Sequence, residues 1–167
     1  MKEELHNPSF TFAQVREASP GDLPGILHVQ RQAKRATTDA FADSLSDALA
    51  DPQRFVVLAE EEGVPVGWAT TKHFSTPEPV APAGHYLMGM TVSPDRRRRG
   101  IGTSLVSARM SWIRERADAA VYFANAANEA SIRSHRSWAF VEIARDAQFR
   151  DVKFSSGSGI LFRAEIR

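Results

Sequence analysis

The chain has 167 residues, of which 43% are hydrophobic and 25% are charged, a composition typical of one globular domain rather than a disordered segment. Its formal net charge of +1 gives no general reason to expect nucleic acid as a partner, and the lack of cysteine excludes disulfides, thiolate catalysis and sulfur-based metal sites. No apolar run approaches the ~18 residues of a membrane span and the polar start lacks a signal-peptide core, so we expect a cytoplasmic single domain over 1–167 with no membrane partner.

The first half of the chain predicts a strand, two helices and a hairpin. Alternating residues indicate strands, and the pattern Ser19-Pro20-Gly21-Asp22 is a typical helix start ahead of an apolar helical face. The predicted elements are a loose start (1–9), a strand (Phe10–Arg16), a helix after Asp22, a second helix (Thr38–Asp51) and two paired strands (Phe55–Ala59 and Val64–Phe74). A proline-rich loop over residues 75–84 follows them.

The second half continues the alternation of strands and helices. Its predicted elements are a buried strand (Tyr86–Val92), a helix from Ile101, a strand (Ala119–Ala124), a helix (about Glu129–Trp138) and a final antiparallel pair (Phe140–Ala144 and Gly159–Arg163) joined by a polar loop. We therefore expect a mixed α/β (α+β) fold, with one mainly antiparallel, twisted sheet of six to seven strands and helices on both faces.

Residues 92–105 join the buried strand to the helix and read Val-Ser-Pro-Asp-Arg-Arg-Arg-Arg-Gly-Ile-Gly-Thr-Ser-Leu. Glycine at 100 and 102 lets the backbone N–H groups of the first helical turn approach a ligand closely, and those groups carry the positive end of the helix dipole. A phosphate or pyrophosphate is the natural ligand there. A Walker loop is excluded because no Gly-Lys pair occurs, and a dinucleotide fingerprint needs a small residue at Leu105.

The pattern that remains is Arg-x-x-Gly-x-Gly, at Arg97, Gly100 and Gly102, directly after a strand. It resembles the acetyl-CoA-binding motif of the GNAT superfamily of N-acetyltransferases. A second segment, Asn128–Phe140, is similar to one that in this family runs from an asparagine to a tyrosine and ends in Gly-Phe. Here His135 occupies the tyrosine position, and alanine replaces the glycine before the final phenylalanine. The order of predicted elements also resembles the family over nearly the whole chain.

The resemblance implies transfer of an acetyl group from acetyl-CoA to an amine by direct attack in a ternary complex. No metal is expected, because the five histidines show no metal-ligand spacing. It implies a splayed pair of central strands, between which the cofactor arm lies, and it makes the Val92 N–H the candidate to polarise the thioester carbonyl. The residues that it assigns to cofactor binding are Met90, Thr91, Val92, Arg97, Arg98, Arg99, Gly100, Ile101, Gly102, Thr103 and Asn128.

By the same resemblance, His135 is the candidate to protonate the leaving thiolate. A histidine with an ordinary pKa near ~6.5 is mostly neutral at pH 7, so hydrogen bonding to the sulfur, a water molecule, or a purely packed role for His135 are alternatives. The group that takes the proton from the amine is open. A water chain is one candidate, and the side chains expected near the cleft are His73, Glu78, His85 and Tyr86.

The acceptor is the least defined part of this hypothesis. Aspartates recur at every fourth residue of the second helix and form an acidic stripe, which is either a solvated face or a surface that attracts a cationic amine: Asp39, Asp43, Asp47 and Asp51. We expect a small cationic acceptor, aminoglycoside-like or polyamine-like. A peptide or protein N-terminus and a catalytically silent acyl-CoA-binding module are the alternatives. A homodimer formed through the last strand is a further expectation.

Overall fold

The computed structural model describes residues 12–166, so the loose start predicted for residues 1–9 and the beginning of the first predicted strand lie outside it. In this range the helices are α1 (Leu23–Gln32), α2 (Asp39–Ala50), α3 (Ile101–Arg114) and α4 (Glu129–His135). The strands are β1 (Gln14–Glu17), β2 (Val56–Glu61), β3 (Val64–Phe74), β4 (Gly84–Val92), β5 (Ala119–Asn125), β6 (Val141–Asp146), β7 (Gln148–Phe149), β8 (Val152–Lys153) and β9 (Gly159–Glu165). Between residues 12 and 166, no helix has both the length and the apolar composition of a membrane span.

Seven strands form one sheet in the order β1-β2-β3-β4-β5-β9-β6. Only β4 and β5 are parallel neighbours, and the other pairs are antiparallel. Alternate residues of β2 face opposite layers: Val56 and Leu58 pack with α1 and α2, whereas Val57 and Ala59 pack with α3. The predicted mixed fold, with a mainly antiparallel sheet and helices on both faces, is confirmed.

The two central strands separate partway along their length. β4 and β5 pair only from His85 opposite Ala120 to Leu87 opposite Tyr122. Two residues farther along β4, Gly89 has a φ of 53° and forms a bulge, because Met88 pairs with Thr70 while Met90 pairs with Ala69. The bulge bends β4 away from β5, which confirms the predicted splay and leaves one edge of β4 free.

The end of the chain differs from the sequence prediction in two ways. The helix predicted to run to Trp138 ends as an α-helix at His135, and a short 3-10 turn takes the chain to Ala139, which has a φ of 54°. The polar loop contains the small hairpin of β7 and β8. Strands of two residues are too short to produce a periodic pattern, so they could not be predicted from the sequence.

The last strand, β9, is paired on both sides, by β5 and by β6. Both of its edges are therefore occupied by strands of the same chain, and a homodimer formed through this strand stays a prediction. The strand at this end of the sheet is β6, on which Val141 and Ile143 are exposed.

Arg150 ties the small hairpin to the proline-rich loop. It lies between β7 and β8 with a φ of 53°, and its buried guanidinium donates hydrogen bonds to the carbonyl oxygens of Thr76, Ala81 and Pro82 at 2.8 to 3.1 Å. The same group lies 4.4 Å from the centroid of the Phe74 ring. Loop and hairpin thus cover the face of β4 and β5 opposite to α3.

Candidate active site

The N-terminus of α3 carries unpaired backbone donors. Gly100 is the N-cap with a φ of 78°, and no side chain caps the helix. The first helical hydrogen bond runs from Ser104 N–H to Gly100 O at 3.0 Å, so the amides of Ile101, Gly102 and Thr103 precede the helical ladder. Such a helix start attracts an anion.

The four arginines before this helix are not equivalent. Arg96 donates to Glu61 at 2.7 Å and Arg99 lies 3.7 Å from the same carboxylate, a partner that the sequence did not suggest. Arg97 and Arg98 are exposed and form no ion pair with any described carboxylate. Within this run of four arginines, the positive charge available to a ligand is therefore concentrated on Arg97 and Arg98.

A cleft of about 940 Å³ runs from this helix start into the gap between β4 and β5. Its walls bring together three parts of the chain predicted to bind cofactor: the end of β4, the turn before α3, and the start of α4. Of the predicted residues, those that line the cleft are Met90, Val92, Arg97, Arg98, Gly100, Ile101, Gly102, Thr103, Asn128 and His135. Thr91 and Arg99 are not among the lining residues.

The free edge of β4 presents backbone groups of alternate residues. Ser93 N–H donates to Val66 O on β3 at 2.8 Å. Because successive amides of a strand point to opposite sides, the amide of Val92 faces the β5 side, and so does that of Met90. Thr91 is buried, and its backbone amide points toward β3. An edge of this kind can receive a chain of amides such as the pantetheine arm.

The start of α4 closes the cleft from the other side. Asn128 is exposed, and its Oδ1 caps the helix by accepting from Ser131 N–H at 3.2 Å, which leaves its amide nitrogen for a ligand. α4 lies so close to α3 that a Cβ added at Gly102 would stand 3.1 Å from Ser134 Oγ. The close packing of the two helices therefore favours glycine at 102, in addition to the access that it gives to the amides.

His135 is almost completely buried, with 3% of its surface exposed. Its Nδ1 lies 2.7 Å from the carbonyl oxygen of Ser131, so Nδ1 carries the proton, and the buried Nε2 has no hydrogen-bond partner among the described residues. Burial lowers the pKa of His135 to about 4, assisted by the nearby charge of Arg109. At neutral pH the imidazole is uncharged and Nε2 is an acceptor.

Tyr122 stacks on His135, with ring centroids 3.7 Å apart. It is 3% exposed and lines the cleft at the last pair between β4 and β5. Burial raises the pKa of Tyr122 to about 12, and its hydroxyl makes no hydrogen bond of regular geometry, although the Ser131 side chain faces it. In the sequence, Tyr122 is only one residue of an apolar predicted strand, and its place in the cleft was not predicted.

Arg109 is a second lining residue that the sequence analysis missed. It lies on the buried face of α3, between Leu105 and Ile113, and burial lowers its pKa to about 9. The one sequence feature that distinguishes Arg109 is that it is an arginine within an otherwise apolar helical face.

The side chains considered as bases lie elsewhere. His73 and His85 contact each other, with ring centroids 4.6 Å apart, at the opposite end of β4. The Tyr86 hydroxyl donates to Pro82 O at 2.6 Å, and Glu78 lies 3.9 Å from Arg150. None of these four lines the cleft.

The acidic stripe of α2 is exposed along its whole length and does not line the cleft either. The side of the cleft that faces α1 and the small hairpin is instead lined by Arg35, Phe123, Val152 and Phe154. Among the lining residues the only carboxylate is Glu129.

Comparisons with known proteins agree with this geometry. The sequence profile of the acetyltransferase (GNAT) family matches residues 15–140. No curated relative matches the chain. Among similar solved structures, the Salmonella typhimurium protein yncA, determined with its cofactor acetyl-CoA, has 20% identity and a TM-score of 0.73 over 93% of this chain and 94% of its own. A ribosomal-protein-alanine N-acetyltransferase from Brucella melitensis has 25% identity and a TM-score of 0.71 over 91% and 99% of the two chains.

The N-acetyltransferase from Staphylococcus aureus Mu50 has 19% identity and a TM-score of 0.74, over 93% of this chain and 99% of its own. These structures share the fold, and the family profile spans both the turn before α3 and the start of α4. The chain therefore belongs to the GNAT family and is an acetyl-CoA-dependent N-acetyltransferase.

Proposed function

We propose that the protein binds acetyl-CoA between β4 and β5 and transfers its acetyl group to a primary amine by direct attack in a ternary complex. The observation that carries the proposal is the end of β4–β5 pairing at Leu87 and Tyr122, which leaves the β4 edge free beside the start of α3. Bound acetyl-CoA supplies the thioester whose carbonyl carbon the amine attacks. No metal takes part in the proposed reaction.

The described residues supply three kinds of contact to this ligand. The amides of residues 100–103, with Arg97 and Arg98, hold the pyrophosphate. The β4 edge at Met90 and Val92 aligns the pantetheine arm, and the Val92 N–H donates to the oxygen on which negative charge develops. The free amide nitrogen of Asn128 contacts the arm from α4. Thr91 supports the edge by holding β4 to β3, and Arg99 acts through Glu61 on the shape of the turn.

His135 belongs to the catalytic end of the cleft in this proposal, with a revised role. Since its Nδ1 proton is bonded to Ser131 and its pKa is low, Nε2 is suited to accept a hydrogen bond. A proton for the leaving sulfur then comes from water. The proton of the amine likewise leaves through water, because among the described residues that line the cleft the only carboxylate is the exposed Glu129.

Two acceptor classes are open to test. A small cationic amine was expected from the acidic stripe of α2, whose carboxylates lie outside the cleft. A peptide or protein N-terminus suits the observed lining better, since Arg35 and the apolar Phe123, Val152 and Phe154 offer a polycation little attraction. The similarity to the Brucella melitensis ribosomal-protein-alanine N-acetyltransferase also supports a peptide acceptor. A single domain over 1–167, a cytoplasmic location and a homodimer stay predictions.

The test is the release of CoA from acetyl-CoA, followed with a thiol-reactive dye, in a panel of aminoglycosides, polyamines, amino acids and short peptides. We expect release that depends on the acceptor and is fastest with peptides that carry a free α-amine. Fast turnover of polyamines would favour the cationic class. Saturable acetyl-CoA binding without release for any acceptor would contradict the proposal and favour a silent binding module.

A further inference from the structure

Arg109 is a buried cation without a counter-ion. It is 1% exposed, and no carboxylate of the described part of the chain forms an ion pair with it. Its Nε donates to Leu105 O at 3.2 Å, and Nη1 donates to Thr70 O at 3.1 Å and to Met88 O at 3.3 Å. The remaining nitrogen, Nη2, contacts only the sulfur of Met90, at 3.6 Å.

Burying an unpaired guanidinium in this way lowers the stability of the fold. Removing a guanidinium from water carries a large desolvation penalty even after the protein relaxes, and a thioether is a weak acceptor that offsets little of it. The neighbours on this face of α3, Leu105, Met110 and Ile113, are all apolar and fully buried. Methionine or leucine at 109 would pack among them without that cost, so packing alone does not account for an arginine here.

The position of the charge suggests its use. The two β4 residues that contact the guanidinium, Met88 and Met90, flank the Gly89 bulge at which β4 leaves β5. Arg109 also lines the cleft. The positive charge therefore lies just behind the wall of the cleft where β4 and β5 separate, beside the strand edge to which we assign the thioester.

The surrounding groups do not cancel this charge. α4 contributes His135, whose pKa the nearby Arg109 helps to lower, and β5 contributes Tyr122, whose pKa is raised to about 12. β3 and β4 contribute backbone carbonyls and the Met90 sulfur. At neutral pH the described side chains at this end of the gap are one cation and two uncharged rings.

We propose that Arg109 is the group that stabilises negative charge on the departing CoA sulfur, acting as a fixed cation in place of a side-chain acid. The inference rests on the proposed function. In the transfer step the amine nitrogen bonds to the carbonyl carbon, the C–S bond breaks, and the sulfur keeps the electron pair. The guanidinium keeps all its protons. The amine loses its extra proton to water, and the thiolate takes one from water after it leaves.

The test measures the ionisation of the bound thiol without any turnover. Affinities for CoA and for desulfo-CoA, which lacks the sulfur, are compared by calorimetry between about pH 6 and 8.5, the upper limit being near the ordinary pKa of a thiol. If Arg109 stabilises the thiolate, the bound thiol has a lowered pKa. CoA then binds progressively more tightly than desulfo-CoA as the pH rises from the bound pKa to the free pKa. A lowering of one unit corresponds to a gain of about tenfold.

Three variants separate charge from structure. Arg109→Gln should abolish the rise of the CoA to desulfo-CoA affinity ratio with pH, and Arg109→Lys, which keeps a charge, should retain part of it. Arg150→Gln is the matched control, because it removes another buried arginine that donates to three backbone carbonyls but does not line the cleft. It should lower the melting temperature and leave the ratio unchanged.

A flat ratio in the wild-type protein would overturn the inference without any variant, as would an unchanged rise in folded Arg109→Gln. If Arg109→Gln does not fold, loss of the rise in Arg109→Lys, with desulfo-CoA binding retained, would also contradict it. Failure of the proposed function is distinguishable, since it appears either as no binding of CoA and desulfo-CoA or as binding without acceptor-dependent release of CoA, whereas this inference is tested by how the affinity ratio changes with pH.

Discussion

His135 and Tyr122 stack face to face, with their ring centroids 3.7 Å apart and their planes 2° from parallel. The stack and the Ser131 hydrogen bond hold the imidazole, which burial keeps uncharged at neutral pH, at the end of the cleft to which we assign the reaction. We expect His135→Phe, which keeps an aromatic ring on Tyr122, to lower kcat by less than about tenfold. A general acid would contribute about 10² to 10⁴, so steady-state kinetics with saturating acetyl-CoA separates the two roles.

His135→Leu, which removes the ring, serves as the control for the stack itself. A loss of a hundredfold or more in His135→Phe, with an unchanged melting temperature, would contradict the neutral role and restore His135 as the proton donor.

The low pKa of His135 also predicts how stability depends on pH. In the unfolded chain the imidazole titrates near ~6.5, whereas in the folded protein its pKa is about 4, so below pH 6.5 the unfolded state binds more protons. The free energy of unfolding should therefore decrease as the pH is lowered from 6.5 to 4. His135 accounts for about 3 kcal/mol of this decrease. Urea unfolding at several pH values in this range measures the slope.

His135→Phe should reduce that slope. Phe140→Leu is the control, because Phe140 packs against the same two rings, at 5.7 Å from His135, without being titratable. It should lower stability by a similar amount at every pH. Equal slopes in wild type and His135→Phe would mean that the histidine is accessible to protons in the folded state.

Much of this architecture could be predicted from sequence because local patterns determine it. The apolar periodicity of α3 and the glycines at 100 and 102 predicted a helix start that faces an anion. The alternation and apolar runs predicted most strands within a few residues. The separation of β4 and β5 could be predicted only from the family resemblance, because it depends on the point at which the two strands stop pairing and no local pattern indicates that point.

Other features depend on contacts between distant parts of the chain. Glu61 engages Arg96 and Arg99 across the sheet edge, so an arginine run that looks uniform in sequence leaves only two charges for a ligand. Arg109 reaches carbonyls of two other strands, and no local pattern indicates that an arginine within an apolar face is buried. The acidic stripe of α2 is the reverse, since its pattern is clear in the sequence but its aspartates are exposed to solvent and do not line the cleft.

The difference between the arginines predicts a salt-dependent effect on binding. Arg98→Ala should weaken acetyl-CoA binding about fivefold at low salt, from the loss of about 1 kcal/mol for an exposed charge, and less at high salt. Arg145→Ala changes the net charge equally but lies on β6, outside the cleft, and should have no effect. Calorimetric titration at two salt concentrations measures both. Equal weakening in the two variants would indicate a general charge effect instead of a site.

Gly100 and Gly157 allow the phosphate turn to be tested with matched backbones. Both have a φ of 78° and open space where a Cβ would stand, but only Gly100 lines the cleft, at the N-cap of α3. Alanine at either position adopts the left-handed region at a cost of about 1 kcal/mol, so both variants should lose similar thermal stability. If the amides after Gly100 bind the pyrophosphate, Gly100→Ala should also weaken acetyl-CoA binding at least severalfold, while Gly157→Ala leaves it unchanged. Because the strain is the same in both, a binding defect confined to Gly100→Ala assigns the site to the start of α3, and equal affinities would assign the pyrophosphate elsewhere.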